Sequence, residues 1–74
     1  MSSLKHKSKS KIAKNIRKLR QEKGISQDKL SKLANLSLNT IVNIELGKNP
    51  NPTIETLEKI AKALGVSIED LLKS

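Results

Sequence analysis

Residues 26–47 read SQDKLSKLANLSLNTIVNIELG, and this stretch decides the fold. Ser26 stands where a helix N-cap is wanted, and Asp28 suits the positive end of the same helix. Leu30, Leu33 and Ala34 follow at helical spacing and are expected to form its buried side. Asn35 then breaks the pattern; after Gly it is the residue that best tolerates the left-handed region. Ser37 is a second N-cap, Ile41 and Ile44 give the next helix its inner side, and Gly47 ends it. Two short helices therefore meet across a tight break, the outline of a helix-turn-helix.

The flanks extend the same logic. Upstream, Ile12, Ala13, Ile16 and Leu19 lie on one helix face, and Gly24 is placed to close that helix. Downstream, KNPNP at 48–52 cannot continue a helix, because Pro50 and Pro52 lack backbone donors and push their predecessors to extended conformations. Thr53 caps a fourth helix with Ile54, Leu57, Ile60, Ala61 and Leu64 on one face, and Gly65 stops it. Ser67 and Asp70 have capping-box spacing, opening a short fifth helix with Ile68, Leu71 and Leu72. All three glycines fall at predicted helix ends and four Ser/Thr residues at predicted starts, so separate local signals agree. No strand-like alternation, internal repeat or second domain appears. The expected fold class is all-α: five short helices over residues 11–74, preceded by a flexible basic arm at 1–10, MSSLKHKSKS.

Composition narrows the functions. The 74 residues give room for one small domain. There is no Cys and one His, which excludes a disulfide framework and a Cys/His zinc site; no metal and no cofactor are expected. His6 lies in a polar, basic stretch and reads as a solvated tail residue, without the positioned partners of acid–base catalysis. With no phosphate-binding loop either, an enzyme is not expected. Phe, Tyr and Trp are absent, so the core must be aliphatic and aromatic stacking on bases is unavailable. No apolar run approaches the ~20 residues of a membrane span, and the N-terminus lacks the apolar region of a secretory signal. A cytoplasmic, nucleoid-associated protein is expected.

The net charge is +8, and its placement is informative. Residues 1–23 hold nine Lys/Arg against Glu22 alone, whereas the remainder holds six bases and six acids. The whole surplus therefore lies on the arm and the first helix. Such polarity suits a face turned to a polyanion.

Taken together, IRKLRQEKGISQDKLSKLANLS at 16–37, the T-I-x-x-I-E-x-G run at 40–47 and PTIETLEKIAKALGV at 52–66 resemble the phage-repressor/Cro-like helix-turn-helix family, also called the xenobiotic-response-element family. The resemblance covers about residues 12–72. Ser31 stands where the family usually has Ala, and Asn35 where it usually has Gly; both remain small or left-handed enough for the turn. The resemblance implies a lambda-repressor-like DNA-binding domain whose third helix enters the major groove of double-stranded DNA.

On that docking, Leu38, Asn39, Thr40 and Asn43 are the outward, base-contacting candidates. Asn bonds N6 and N7 of adenine, which favours Asn39 and Asn43 as readers; Leu38 packs either on a thymine methyl or on neighbouring loop residues. Gln27 opens the first motif helix, whose N-terminal amides suit a phosphate, and the resemblance makes it a backbone clamp. Ser37, Lys48, Asn49 and Asn51 are further phosphate candidates. Lys5, Lys7, Lys9 and Lys11 of the arm either track the duplex or stay mobile. The resemblance also pairs Arg20 with Glu45, locking the first helix to the third.

Relatives of this kind dimerise on two-fold operators with half-sites about one turn (~34 Å) apart. Val66, Ile68, Leu71 and Leu72 are the candidate homodimer surface, although some must fill the core. The leading expectation is a sequence-specific transcriptional regulator, a repressor by preference. The alternative is an antitoxin or adaptor that chiefly binds a protein partner, with autoregulatory DNA binding.

Overall fold

The computed structural model describes residues 11–73. They form five helices: α1 (Lys11–Glu22), α2 (Gln27–Ala34), α3 (Leu38–Glu45), α4 (Ile54–Leu64) and α5 (Ile68–Leu72). There is no strand among the described residues. The arm residues Lys5, Lys7 and Lys9 lie outside them. Lys11, grouped with the arm from sequence, is the first residue of α1 and is half-buried.

Local chemistry sets the boundaries. Ser26, Ser37, Thr53 and Ser67 each hold extended backbone angles, and each side chain accepts from the N–H three residues on. Each such cap is worth about 1 kcal/mol. The Ser67–Asp70 box is closed from both sides, the Asp70 carboxylate accepting from the Ser67 N–H at 3.1 Å.

Four of the five helix exits share one device. Leu36 N–H donates to the Ser31 carbonyl at 2.9 Å and Asn35 N–H to the Lys32 carbonyl at 3.2 Å, a Schellman closure. Gly24, Gly47 and Gly65 close α1, α3 and α4 in the same pattern. Asn35, at φ 58°, is the one residue other than Gly with a positive φ among those described. It turns the chain between α2 and α3 with only two further residues before Leu38.

The core is aliphatic throughout. Ile16, Leu30, Ala34, Ile41, Ile44, Leu57, Ile60, Ala61, Leu64 and Leu71 form one buried cluster. Ile12, Leu19, Ile25, Leu36, Ala63, Val66 and Ile68 pack around it. α2 packs on α3 and α4, α1 on α3 and α5, and α4 on α5. Burying a Leu or Ile side chain contributes about 1.5–3 kcal/mol. Truncating one to Ala costs about 2–5 kcal/mol, much of a small domain's stability.

Three apolar residues depart from the sequence reading. Leu33, expected on the inner side of α2, is 52% exposed, and Ser31 takes the buried position. Ser31 Oγ donates to the Asp28 carbonyl at 2.7 Å, so its polarity is satisfied within the helix. Ile54, expected on the α4 stripe, is 61% exposed in the first turn. Leu71, expected among the dimer-surface candidates, is fully buried in the core.

Candidate nucleic-acid interface

α3 is a short helix of eight residues. With its side chains an α-helix is ~10–12 Å across, about the width of the major groove. Ile41 and Ile44 anchor it inward. Leu38 and Asn39 are exposed at its N-terminus, while Thr40 and Asn43 are half-buried. Asn39, Asn43 and Leu46 are spaced i, i+4, i+7 and so share one face. Leu46, exposed at the end of that face, was missed from sequence although this spacing pointed to it.

Several candidate side chains already have partners. The Thr40 and Ser37 hydroxyls hydrogen-bond each other at 2.8 Å, and Ser37 Oγ also accepts from Thr40 N–H at 3.0 Å. These bonds set the start of α3. The backbone N–H groups of Lys48 and Asn49 both donate to the Asn43 carbonyl, at 2.9 and 3.2 Å. The loop after α3 is thereby folded back onto the helix end. It leaves the Lys48, Asn49 and Asn51 side chains exposed.

Behind this face lies a polar cluster centred on Glu45. Its side chain is 0% exposed and that of Arg20 is 12% exposed. Arg20 Nε donates to Glu45 Oε2 at 2.7 Å and Arg20 Nη2 to Oε1 at 3.1 Å. The third guanidinium nitrogen, Nη1, donates to the Ile25 carbonyl at 2.8 Å, in the turn before α2. Gln27 Nε2 donates to Glu45 Oε1 at 3.0 Å. Residues of α1 and the first turn of α2 are thus held at the carboxylate that ends α3, and Arg20 ties the α1–α2 turn to the same cluster.

The geometry bears on one expected role and on one residue passed over in the sequence. Gln27 has one amide hydrogen committed to Glu45, and its amide carries a second. Arg17, not singled out from sequence, has its Nε 3.8 Å from Glu45 Oε1. Its signal was its place one turn before Arg20 on the same helix. No buried side-chain nitrogen or oxygen among the described residues lacks a partner, so the cluster is closed inward. No group of acidic, His or Cys side chains among the described residues could hold a metal. No helix among them is long and apolar enough to cross a membrane.

This arrangement of capped helices around an aliphatic core is found in known proteins. Residues 16–71 match a family model described as helix-turn-helix, and the chain belongs to that family, in its Cro/C1-type form. The chain is 33% identical over 63 residues to the HTH-type transcriptional regulator DdrOP3 of Deinococcus deserti. That alignment covers 85% of this chain but 48% of DdrOP3, so the chain spans about half of that relative's length. Among solved structures, the restriction-modification controller protein C.AhdI of Aeromonas hydrophila superposes with a TM-score of 0.81 at 30% identity. The match covers 85% of this chain and 94% of C.AhdI. A point mutant of the restriction-modification controller protein C.Esp1396I superposes at 0.75 with 42% identity, covering 81% of this chain and 77% of that one.

Proposed function

We propose that the chain is a sequence-specific regulator of transcription that binds double-stranded DNA through α3 and acts as a repressor. The observation that carries this is α3 itself: an eight-residue helix capped by Ser37, anchored by Ile41 and Ile44, with Leu38 and Asn39 exposed at its leading end. Asn39 and Asn43 would read bases, with Leu38 against a thymine methyl and Thr40 beside them. Gln27, Ser37, Lys48, Asn49 and Asn51 would hold phosphates on either side. The surplus positive charge of residues 1–23 supplies an attraction to the duplex that is independent of sequence. The names carried by the relatives, a transcriptional regulator and two controllers, support the same reading.

One module reads only a few base pairs, so the reading includes a homodimer on a palindromic operator. With Leu71 committed to the core, the surface available for it is Leu72, 44% exposed, beside half-buried Val66 and Ile68.

The test is selection of labelled random duplexes by the purified chain near physiological salt, followed by sequencing. A palindromic motif with half-sites about one helical turn apart is the expected result. Binding without any motif, lost as salt rises, would sink it and favour a role in binding a protein partner. A reporter driven by a promoter that contains the selected site then separates repression from activation.

A further inference from the structure

We propose that Arg17 is a DNA-phosphate contact, held beside Gln27 by Glu45, so that the footprint extends from the helix-turn-helix onto α1. This rests on the reading that α3 enters the major groove.

The argument begins with charge. Glu45 brings one negative charge into the interior, and Arg20 answers it completely. Two of the Arg20 nitrogens go to the two carboxylate oxygens, and the third goes to the Ile25 carbonyl. Oε1 accepts a further hydrogen bond from Gln27. Arg17 therefore meets an oxygen that already has two donors, and at 3.8 Å it makes an ion pair without a hydrogen bond. The cluster carries two guanidinium charges against one carboxylate. The unmatched positive charge sits on the side chain that is 54% exposed.

Position gives that charge its partner. Arg17 Nε and Gln27 Nε2 approach the same oxygen, at 3.8 and 3.0 Å, so Arg17 stands next to the residue read as a backbone clamp. It also lines a shallow groove on α1 with Lys14, Asn15, Lys18 and Gln21. Arg17 thus joins the Gln27 end of the cluster to the Lys14 and Lys18 cations of α1, a basic run suited to a phosphate backbone. Guanidinium suits that task because it offers several donors to phosphate oxygens in a fixed plane. Glu45 orients the Arg17 side chain without using up its hydrogen bonds.

The test uses the full chain and compares wild type with Arg17→Gln and Arg17→Lys. Each is titrated against its selected duplex and against an arbitrary one, over about 50–200 mM salt. Far-UV circular dichroism melts establish that each variant is folded. The slope of log K against log salt should shrink by about 0.9 in Arg17→Gln, one phosphate's worth, and stay near wild type in Arg17→Lys. The wild-type advantage over Arg17→Gln should then fall roughly threefold to fourfold across that range. The selected motif should be the same for all three chains. Single neutral methylphosphonates placed along the duplex add a measurement on the wild type itself. One position should weaken wild type and leave Arg17→Gln unaffected. An unchanged slope in folded Arg17→Gln, with the motif still selected, would overturn the contact and leave the proposed function standing. A wild type that selects no motif would remove both.

Discussion

Arg20 and Glu45 form a bidentate, largely buried pair: both Glu45 oxygens accept from one guanidinium, at 2.7 and 3.1 Å. The pair joins α1 to the end of α3. Removing one partner leaves a buried charge without its counterpart, which costs about 3–5 kcal/mol. Arg20→Met should therefore lower the melting temperature steeply, by about 4–8 °C per kcal/mol in a domain of this size. The double change Arg20→Met, Glu45→Met should recover most of that loss, because no charge stays buried. Thermal melts of the three chains decide the matter. An Arg20→Met chain as stable as wild type would mean that Glu45 finds water or Arg17 instead.

A second tie closes the opposite end. The Asn15 side-chain amide donates to the Leu71 carbonyl at 2.9 Å and to the Lys73 carbonyl at 2.6 Å. These carbonyls end α5 and have no partner within that helix. With five residues, α5 has little stability of its own and relies on Leu71 in the core and on Asn15 from α1. Asn15→Ala should cost about 1–2 kcal/mol, with the loss concentrated in α5. Amide hydrogen exchange gives the direct readout. Protection should drop in residues 70–73 and hold in α2 and α3, whereas a uniform drop would show that α5 does not open separately.

These two ties show what the sequence could and could not convey. Caps and stops are local, so Ser26, Ser37, Thr53 and Ser67 marked their helix starts and Gly24, Asn35, Gly47 and Gly65 their ends. Leu33 went astray because an eight-residue helix turns barely twice. Leu30, Leu33 and Ala34 satisfy the spacing rule as well as Leu30, Ser31 and Ala34 do. Only the neighbouring helices choose between them. Ile54 shows a related limit: periodicity fixes a residue's angle about the helix axis, not whether a neighbour extends to its level. On α3, the exposure of Leu38 and Asn39 followed from spacing, whereas Thr40 and Asn43 are half-buried. The Arg20–Glu45 pair was expected from the family resemblance; the engagement of Gln27 and Arg17 by the same carboxylate was not, since it depends on how three helices converge.

Asp70 in α5 carries an acid–base signature. The Asp70 carboxyl lies below its ordinary value of 3.8, held there first by the Ser67 N–H, then by Lys73 and the Ser67 hydroxyl. Because the folded value is depressed, the cap's contribution is fully present above the unfolded value and fades as pH falls through the folded one. Asp70→Asn should therefore be less stable than wild type near neutrality. The gap should narrow once pH drops below the ordinary carboxyl range. Paired melts down that series would read it. A gap that stayed constant would assign the effect to shape and not to charge.

On the proposed docking, base reading and phosphate holding fall to different residues of α3 and its following loop. Asn39 is exposed at the leading end of the helix, where a bidentate contact to adenine is worth about 1–3 kcal/mol of discrimination. Lys48 is exposed just past the helix, its backbone fixed by the Asn43 carbonyl, and it can offer only a point charge to the backbone. Asn39→Ala should thus broaden the selected motif at one position per half-site. Its salt slope should hardly change. Lys48→Ala should weaken binding to all duplexes alike and reduce the slope by about 0.9. Repeating the random-duplex selection and the salt titration on both variants distinguishes them. If Asn39→Ala selected the same motif as wild type, the outward end of α3 would not be the reading surface, and Asn43 and Leu46 would be the residues to change next.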